Sequence, residues 1–187
     1  MAGVLTVGID PGLDGAVVAL ADGVPVFSTV VPTHKVKHGK STRKVYDPTG
    51  MNAALDAICK SAWHDGRGEY ERPDLVCIEA TEPRPPKGRN ACHSLGLSRG
   101  LWEGLIVAKR WPYQLVRAAD WLPKMTRGVP GGGTKDRTIM AVGRLLPTLS
   151  LERSARASKL HDGLADAGLL ALYAARVTAG GGAEPRV

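Results

Sequence analysis

VGIDPGLDGAVVAL, residues 7–20, ends an apolar run on a carboxylate and then turns back on itself. Val4, Leu5, Val7 and Ile9 read as a buried β-strand, because β-branched residues suit a pleated, packed surface. Asp10 sits at the tip of that strand, where a carboxylate is costly to bury unless something cationic meets it. Pro11-Gly12 forces a turn, and Gly15 opens a second apolar run from Ala16 to Leu20. The result is a hairpin with an acid at its mouth. A turn-capping Asp would read the same way; two acidic sites further along favour a functional carboxylate.

The first of these is Glu79, at the end of the apolar run Leu75-Val76-Cys77-Ile78. If this strand runs parallel to the first, Asp10 and Glu79 emerge at one end of the sheet, where open α/β sheets bind ligands. Glu82 is a nearby competitor but lies in a Pro-rich loop. The second is HDGLADAGLLALYAA, residues 161–175. Asp162 and Asp166 are four residues apart and share a helix face, where like charges repel and ask for a cation. An acidic first turn complementing the helix dipole explains Asp162 well and Asp166 less well. His161 is either a ligand-positioning group or a plain helix-terminal residue.

Two strand tips and one helix face thus offer carboxylates that would converge. Clustered carboxylates without Cys ligands suit hard divalent cations, Mg²⁺ with Mn²⁺ as substitute. Two such ions, about 3.5–4 Å apart, would serve an in-line phosphoryl displacement.

Three strands, at residues 4–9, 14–21 and 24–31, read as a meander whose second turn is Asp22-Gly23. Residues 33–48 read as a basic loop, and residues 50–63 as a helix with Thr49 as N-cap. A strand at 75–79, an irregular Pro-rich stretch at 82–90, a helix at 91–109 and a strand at 113–116 follow. A helical turn at 118–122, a glycine loop at 128–133, and helices at 134–146 and 161–177 complete the order. This predicts an α/β domain, a mixed sheet with helices on its faces, spanning residues 1–179 with a flexible tail at 180–187.

The formal charge of +7 over 187 residues suggests a polyanionic partner. Only 5% of residues are aromatic, which disfavours a base-stacking platform for single strands. Trp63, Trp102, Trp111 and Trp121 read as core or dimer-interface residues. Cys59, Cys77 and Cys92 form no Cys-x-x-Cys pair, so structural zinc is disfavoured, and Cys59 and Cys77 read as buried thiols of a reducing cytoplasm. No signal peptide or membrane span is expected. Basic clusters at 84–110 and 124–159 suit phosphate contacts, with Arg84, Lys87, Arg89, Arg99, Lys135 and Arg137 the leading DNA-binding candidates. Gly131-Gly132-Gly133-Thr134-Lys135 has Thr before Lys, unlike a P-loop, and reads as either a surface loop or a helix entry holding a DNA phosphate. His34 and His38 have no accompanying acid, so DNA contact or solvation is expected of them rather than metal binding.

GIDPG at 8–12, IEAT at 78–81 and HDGLADA at 161–167 together resemble the RuvC-type Holliday junction resolvases of the RNase H-like nuclease superfamily. LGLSRGLWEGLIVA at 95–108 is similar to the helix that follows the Glu strand there, and the resemblance runs in order over residues 4–177. The HDG-x-A-D/E form is that of phage and organellar-type members. The resemblance implies an RNase H-like mixed five-stranded sheet flanked by helices, and a homodimer that nicks opposing strands of a four-way DNA junction in the cytoplasm of a bacterial or phage-infected cell. It implies Asp10, Glu79, Asp162 and Asp166 as catalytic metal ligands for two Mg²⁺ ions, with no nucleotide cofactor. In bacterial members the last two acids are often three apart, which would place a ligand at Gly163; here Asp162 or His161 fills that role. The loop after Glu79 also lacks the aromatic that some members place next to DNA bases.

Rival readings use the same residues. An RNase H-like nuclease acting on RNA or an RNA/DNA hybrid needs the same acids. An actin-like nucleotide-binding domain also opens with a strand-Asp-Gly hairpin, but needs two such domains. A non-catalytic junction-binding protein would gain nothing from four carboxylates facing DNA phosphates.

Overall fold

Residues 3–39, 41–64, 70–80, 88–152 and 159–180 are described by the computed structural model. The meander forms as the sequence predicts: β1 (Leu5–Asp10), β2 (Ala16–Ala21) and β3 (Val24–Val30) pair antiparallel in turn. Asp22 and Gly23 both take positive φ, 51° and 77°, as a two-residue turn matched to strand twist requires. Asp22 Oδ1 also accepts the Val4 N–H at 2.8 Å, which ties the turn to the start of β1.

Residues 33–48 are not a loop. They form a separate two-stranded ribbon, β4 (Thr33–His38) and β5 (Ser41–Tyr46), turning at Gly39 with φ 61°. The helix that follows, α1 (Pro48–His64), begins two residues earlier than expected. Asp47, not Thr49, caps it: Asp47 Oδ1 accepts the Gly50 N–H at 3.0 Å, and Pro48 takes the first helical position, where its missing N–H costs nothing.

The chain then crosses to β6 (Leu75–Glu79), α2 (Arg89–Ala108) and β7 (Tyr113–Val116). β6 runs parallel to β1, and β7 parallel to β6. The five-stranded mixed sheet has the order β3-β2-β1-β6-β7. Three helices close the chain: α3 (Ala118–Met125), α4 (Thr134–Leu145) and α5 (Asp162–Ala179). α3 is a full helix rather than the single turn expected to stop at Leu122, and it continues through Pro123 to Met125. Trp121 and Met125, one turn apart and both buried, anchor it to the core.

The sheet separates two cores. One face carries Val18, Leu20, Leu75 and Cys77 against α3, α4 and α5. The other carries Leu5, Val7, Ile9, Val76 and Ile78 against α1 and α2, with Trp102 and Trp111. Trp102, Trp111 and Trp121 are therefore core residues; the Trp63 side chain lies outside the described set. Cys59, Cys77 and Cys92 form no disulfide, and burial pushes the Cys77 thiol up to about 12. Cys59 is half-buried rather than buried, which also raises its pKa. No described helix is long and apolar enough to cross a membrane.

Candidate active site

Strand alternation decides where the first two acids point. Thr6 and Gly8 of β1 face α5: the Thr6 hydroxyl donates to the Ala171 carbonyl oxygen at 3.0 Å, and a Cβ on Gly8 would lie 2.0 Å from the Ala167 carbonyl oxygen. Asp10, two residues on, shares that face. On β6, Leu75 and Cys77 pack in the α5 core, so Glu79 shares it too. Asp10 and Glu79 each follow the paired Ile9↔Ile78 by one residue, at the carboxyl ends of two parallel strands. This is the relationship expected from sequence.

The turn after Asp10 is held from several directions. Asp10 Oδ1 accepts the Gly12 N–H at 3.2 Å, and the Gly12 carbonyl oxygen accepts the Gly15 N–H at 2.9 Å. Buried Ser98 of α2 donates its hydroxyl to the Pro11 carbonyl oxygen. Gly15 has no room for a side chain: a Cβ there would lie 2.1 Å from the Asp10 carbonyl oxygen.

α5 brings the remaining acids. His161 is its N-cap, with Nδ1 accepting the Leu164 N–H at 3.2 Å. That nitrogen's lone pair is thus used within the chain, and His161 acts as a cap in this structure. Asp162 and Asp166 lie on one face of the first two turns, both half-buried. Gly163 packs directly on the hairpin mouth: a Cβ there would lie 2.6 Å from the Asp14 carbonyl oxygen and 3.1 Å from Asp10 Oδ2. A ligand side chain at 163 has no space.

The carboxylates feel one another. Burial pushes Asp10 up to about 6 against the Gly12 N–H hydrogen bond, and the charges of Asp162 and Asp14 add to the rise. Burial also raises Asp166, to about 7, with Asp10's charge the next cause; the hydrogen bond from buried Thr138 of α4 opposes it. Asp162 moves the other way, because Lys135 in the first turn of α4 forms an ion pair with it. Lys135 is correspondingly raised by Asp162.

Hard oxygen donors whose negative charges raise one another's pKa fit a divalent cation. Asp10 and Asp166 meet that description, with the charge of Asp162 adding to the rise of both, and Glu79 lies at the adjoining strand end. They do not form a closed ligand set: among the described residues no three His, Cys, Asp or Glu side chains gather tightly enough to hold a metal. Asp162, turned toward Lys135, is one reason.

The basic candidates fare differently. Arg99 Nε is 2.9 Å from Glu103 Oε2, a pairing one turn apart on α2. Lys135 is paired with Asp162, and half-buried Arg137 lies beside Gly131. Arg84 and Lys87 lie outside the described residues, as does the Arg89 side chain. His34 does have an acid beside it: its Nε2 is 3.2 Å from Asp47 Oδ1. Sequence reasoning missed Ser98 and Thr138, which act across tertiary contacts that no local pattern announces. It also missed Lys44, which forms an ion pair with Asp14 in the hairpin turn.

No protein-family model matches the chain, and no curated protein matches it significantly. Solved structures do match in fold. Thermus thermophilus RuvC in complex with a Holliday junction substrate aligns over 98% of this chain and 100% of that one, at 15% identity and a TM-score of 0.53. Another Thermus thermophilus RuvC structure aligns over the same shares at 18% identity and a TM-score of 0.50. The mixed sheet flanked by helices is the RNase H-like fold of these neighbours.

Proposed function

We propose that the chain is a divalent-metal-dependent endonuclease that resolves four-way DNA junctions as a homodimer, of the phage or organellar type. What supports this reading is the charge coupling among Asp10, Asp162 and Asp166, with Glu79 at the neighbouring strand end, on an RNase H-like sheet. Those four acids would hold the ions, Mg²⁺ or Mn²⁺. When bound, a pair of such ions supplies a more acidic water and neutralises the departing 3′ oxygen of a phosphodiester.

The chain's own groups do the positioning. The Gly12 N–H and the wall of Gly163 hold the Asp10 carboxylate in one orientation. Buried Thr138, whose hydroxyl donates to the Lys135 carbonyl oxygen at 3.0 Å, lies beside Asp166 and favours its charged form, and Lys135 neutralises Asp162. Paired nicks in opposing strands need two sites, and α2 offers a face for a second copy. Gly96, Gly100 and Gly104 are exposed at four-residue spacing with open space beyond them, flanked by exposed Leu97 and Val107. Small residues at that spacing let two helices approach closely.

The test is cleavage of an immobile four-way junction and a matched duplex, with Mg²⁺ or EDTA, by the native protein and Asp10→Asn. Symmetric nicks in the junction alone, lost with EDTA and with the variant, support the reading. Binding without nicks points to a recognition protein. Cleavage of an RNA-containing duplex in preference to the junction moves the substrate to RNA.

A further inference from the structure

The ribbon β4–β5 belongs to neither core beyond its base. Tyr46 is buried with the α1 and α2 core, while residues 34–37 and 41–43 are exposed. A two-stranded ribbon is marginally stable in water, so a long exposed one calls for a use. Its composition is one-sided: Lys35, Lys37, Arg43 and Lys44 stand without an acid until Asp47.

The register sharpens the point. Lys35 pairs directly with Lys44, and Lys37 with Thr42, so one face of the ribbon carries Lys35, Lys37 and Lys44. Like charges placed directly across a strand pair are destabilising. Lysines on a free ribbon do keep its edges from pairing with other chains, but that role does not require two of them opposite each other. Asp14 answers Lys44 by an ion pair, and Lys35 and Lys37 remain exposed on this face for a further anion.

The ribbon is also aimed. Lys44 forms an ion pair with Asp14, four residues beyond Asp10 in the hairpin turn whose backbone packs on Gly163. At its base Arg43, Lys44, Val45 and Tyr46 line a cleft of about 190 Å³ with Leu13 of the turn and Leu97 of α2. The basic face is therefore anchored at the mouth that holds the acids. Strands of six residues extend about 20 Å, which matches roughly six base-pair steps of a duplex.

We propose that the β4–β5 ribbon is a duplex-DNA clamp: its exposed Lys35 and Lys37, on the face anchored by the Lys44–Asp14 ion pair, contact the phosphate backbone of a double-stranded segment flanking the acidic site. The proposal rests on the reading of the chain as a DNA-acting nuclease. Its contacts are with phosphates, so it contributes affinity and placement and is indifferent to base sequence.

The test is the salt dependence of binding to a 30-base-pair duplex and to a four-way junction, in Mg²⁺ and in an Asp10→Asn background so that no cleavage intervenes. Lys35→Gln/Lys37→Gln is compared with Lys60→Gln/Arg72→Gln, which removes the same charge from exposed positions outside the basic clusters and the ribbon. The ribbon residues are exposed, and circular dichroism checks that both variants fold. The expected result is a slope of log Kd against log salt that falls by about 2 for the ribbon pair only. Equal slopes for the two pairs overturn the clamp, and junction cleavage by the native protein would then leave the nuclease reading standing. A ribbon-dependent slope with no cleavage by the native protein keeps the clamp and removes the nuclease. Absence of DNA binding removes both.

Discussion

Gly163 presses its α-carbon against the hairpin mouth, so that a β-carbon there would stand 3.1 Å from Asp10 Oδ2 and 2.6 Å from the Asp14 carbonyl oxygen. The contact sets the distance between α5 and β1, and with it the distance between acids. Gly163→Ala is expected to destabilise the fold by about 1–3 kcal/mol, the usual cost of overpacking. Gly163→Asp should not restore metal binding to Asp162→Asn, because the new carboxylate has no space at the site. Calorimetric titration with Mn²⁺ checks this; recovery of binding would show that α5 shifts more easily than the packing implies.

Asp10 carries a burial penalty that a proton or a bound cation relieves. Its folded pKa of about 6 lies above the ordinary value of 3.8, so the folded state binds this proton more tightly than the unfolded chain does. The associated stability is fully present below pH 4 and is lost as pH rises through 6. Asp10→Asn mimics the protonated form, so without metal it should match the native protein near pH 4. Above pH 7 it should be more stable by on the order of 3 kcal/mol. Saturating Mg²⁺ should raise the Tm of the native protein and leave the variant unmoved. Denaturation curves across pH, with and without EDTA, give both comparisons.

Lys135 and a metal ion compete for Asp162. The lysine is 77% exposed, so its loss should change stability by less than about 1 kcal/mol. Lys135→Gln frees Asp162 and also removes a positive charge that lowers the pKa of Asp166. Mn²⁺ should then bind several-fold tighter by calorimetry, despite an almost unchanged Tm. Weaker binding would mean that Lys135 shapes the site rather than occupying it.

Gly100 separates a lone helix from a paired one. In the single chain a β-carbon at 100 meets nothing, so Gly100→Ala on its own should stabilise α2 by about 1 kcal/mol. If α2 packs on a second copy, Gly100→Arg should instead shift the protein from dimer to monomer. Light scattering over a concentration series reads the outcome.

How much of this was legible beforehand depended on where each signal resides. Asp10 and Glu79 declared themselves by ending apolar runs, and Asp162 with Asp166 by helical spacing. The β4–β5 ribbon gave no such cue, because a strand exposed on both faces has no apolar alternation; His34, Lys35 and Lys37 read as loop. The sequence suggests only a helical turn at 118–122; α3 runs on through Pro123, against the local preference of the residue before a proline, because Trp121 and Met125 are buried. Ser98 and Thr138 carry no pattern at all. Ser98 meets Pro11 across 87 residues of chain, and only the folded packing reveals it.

The Thr6–Ala171 hydrogen bond joins residues 165 positions apart, between the first strand and the last helix. During synthesis, β1, β2 and β6 can assemble while Asp162 and Asp166 have not yet been made. A nascent chain therefore carries Asp10 and Glu79 without Asp162 and Asp166. Completion of α5 brings that second pair and covers the sheet face of Val18, Leu20 and Cys77 in one docking event. A polypeptide released early would leave that apolar face bare, so quality control would meet an aggregation problem.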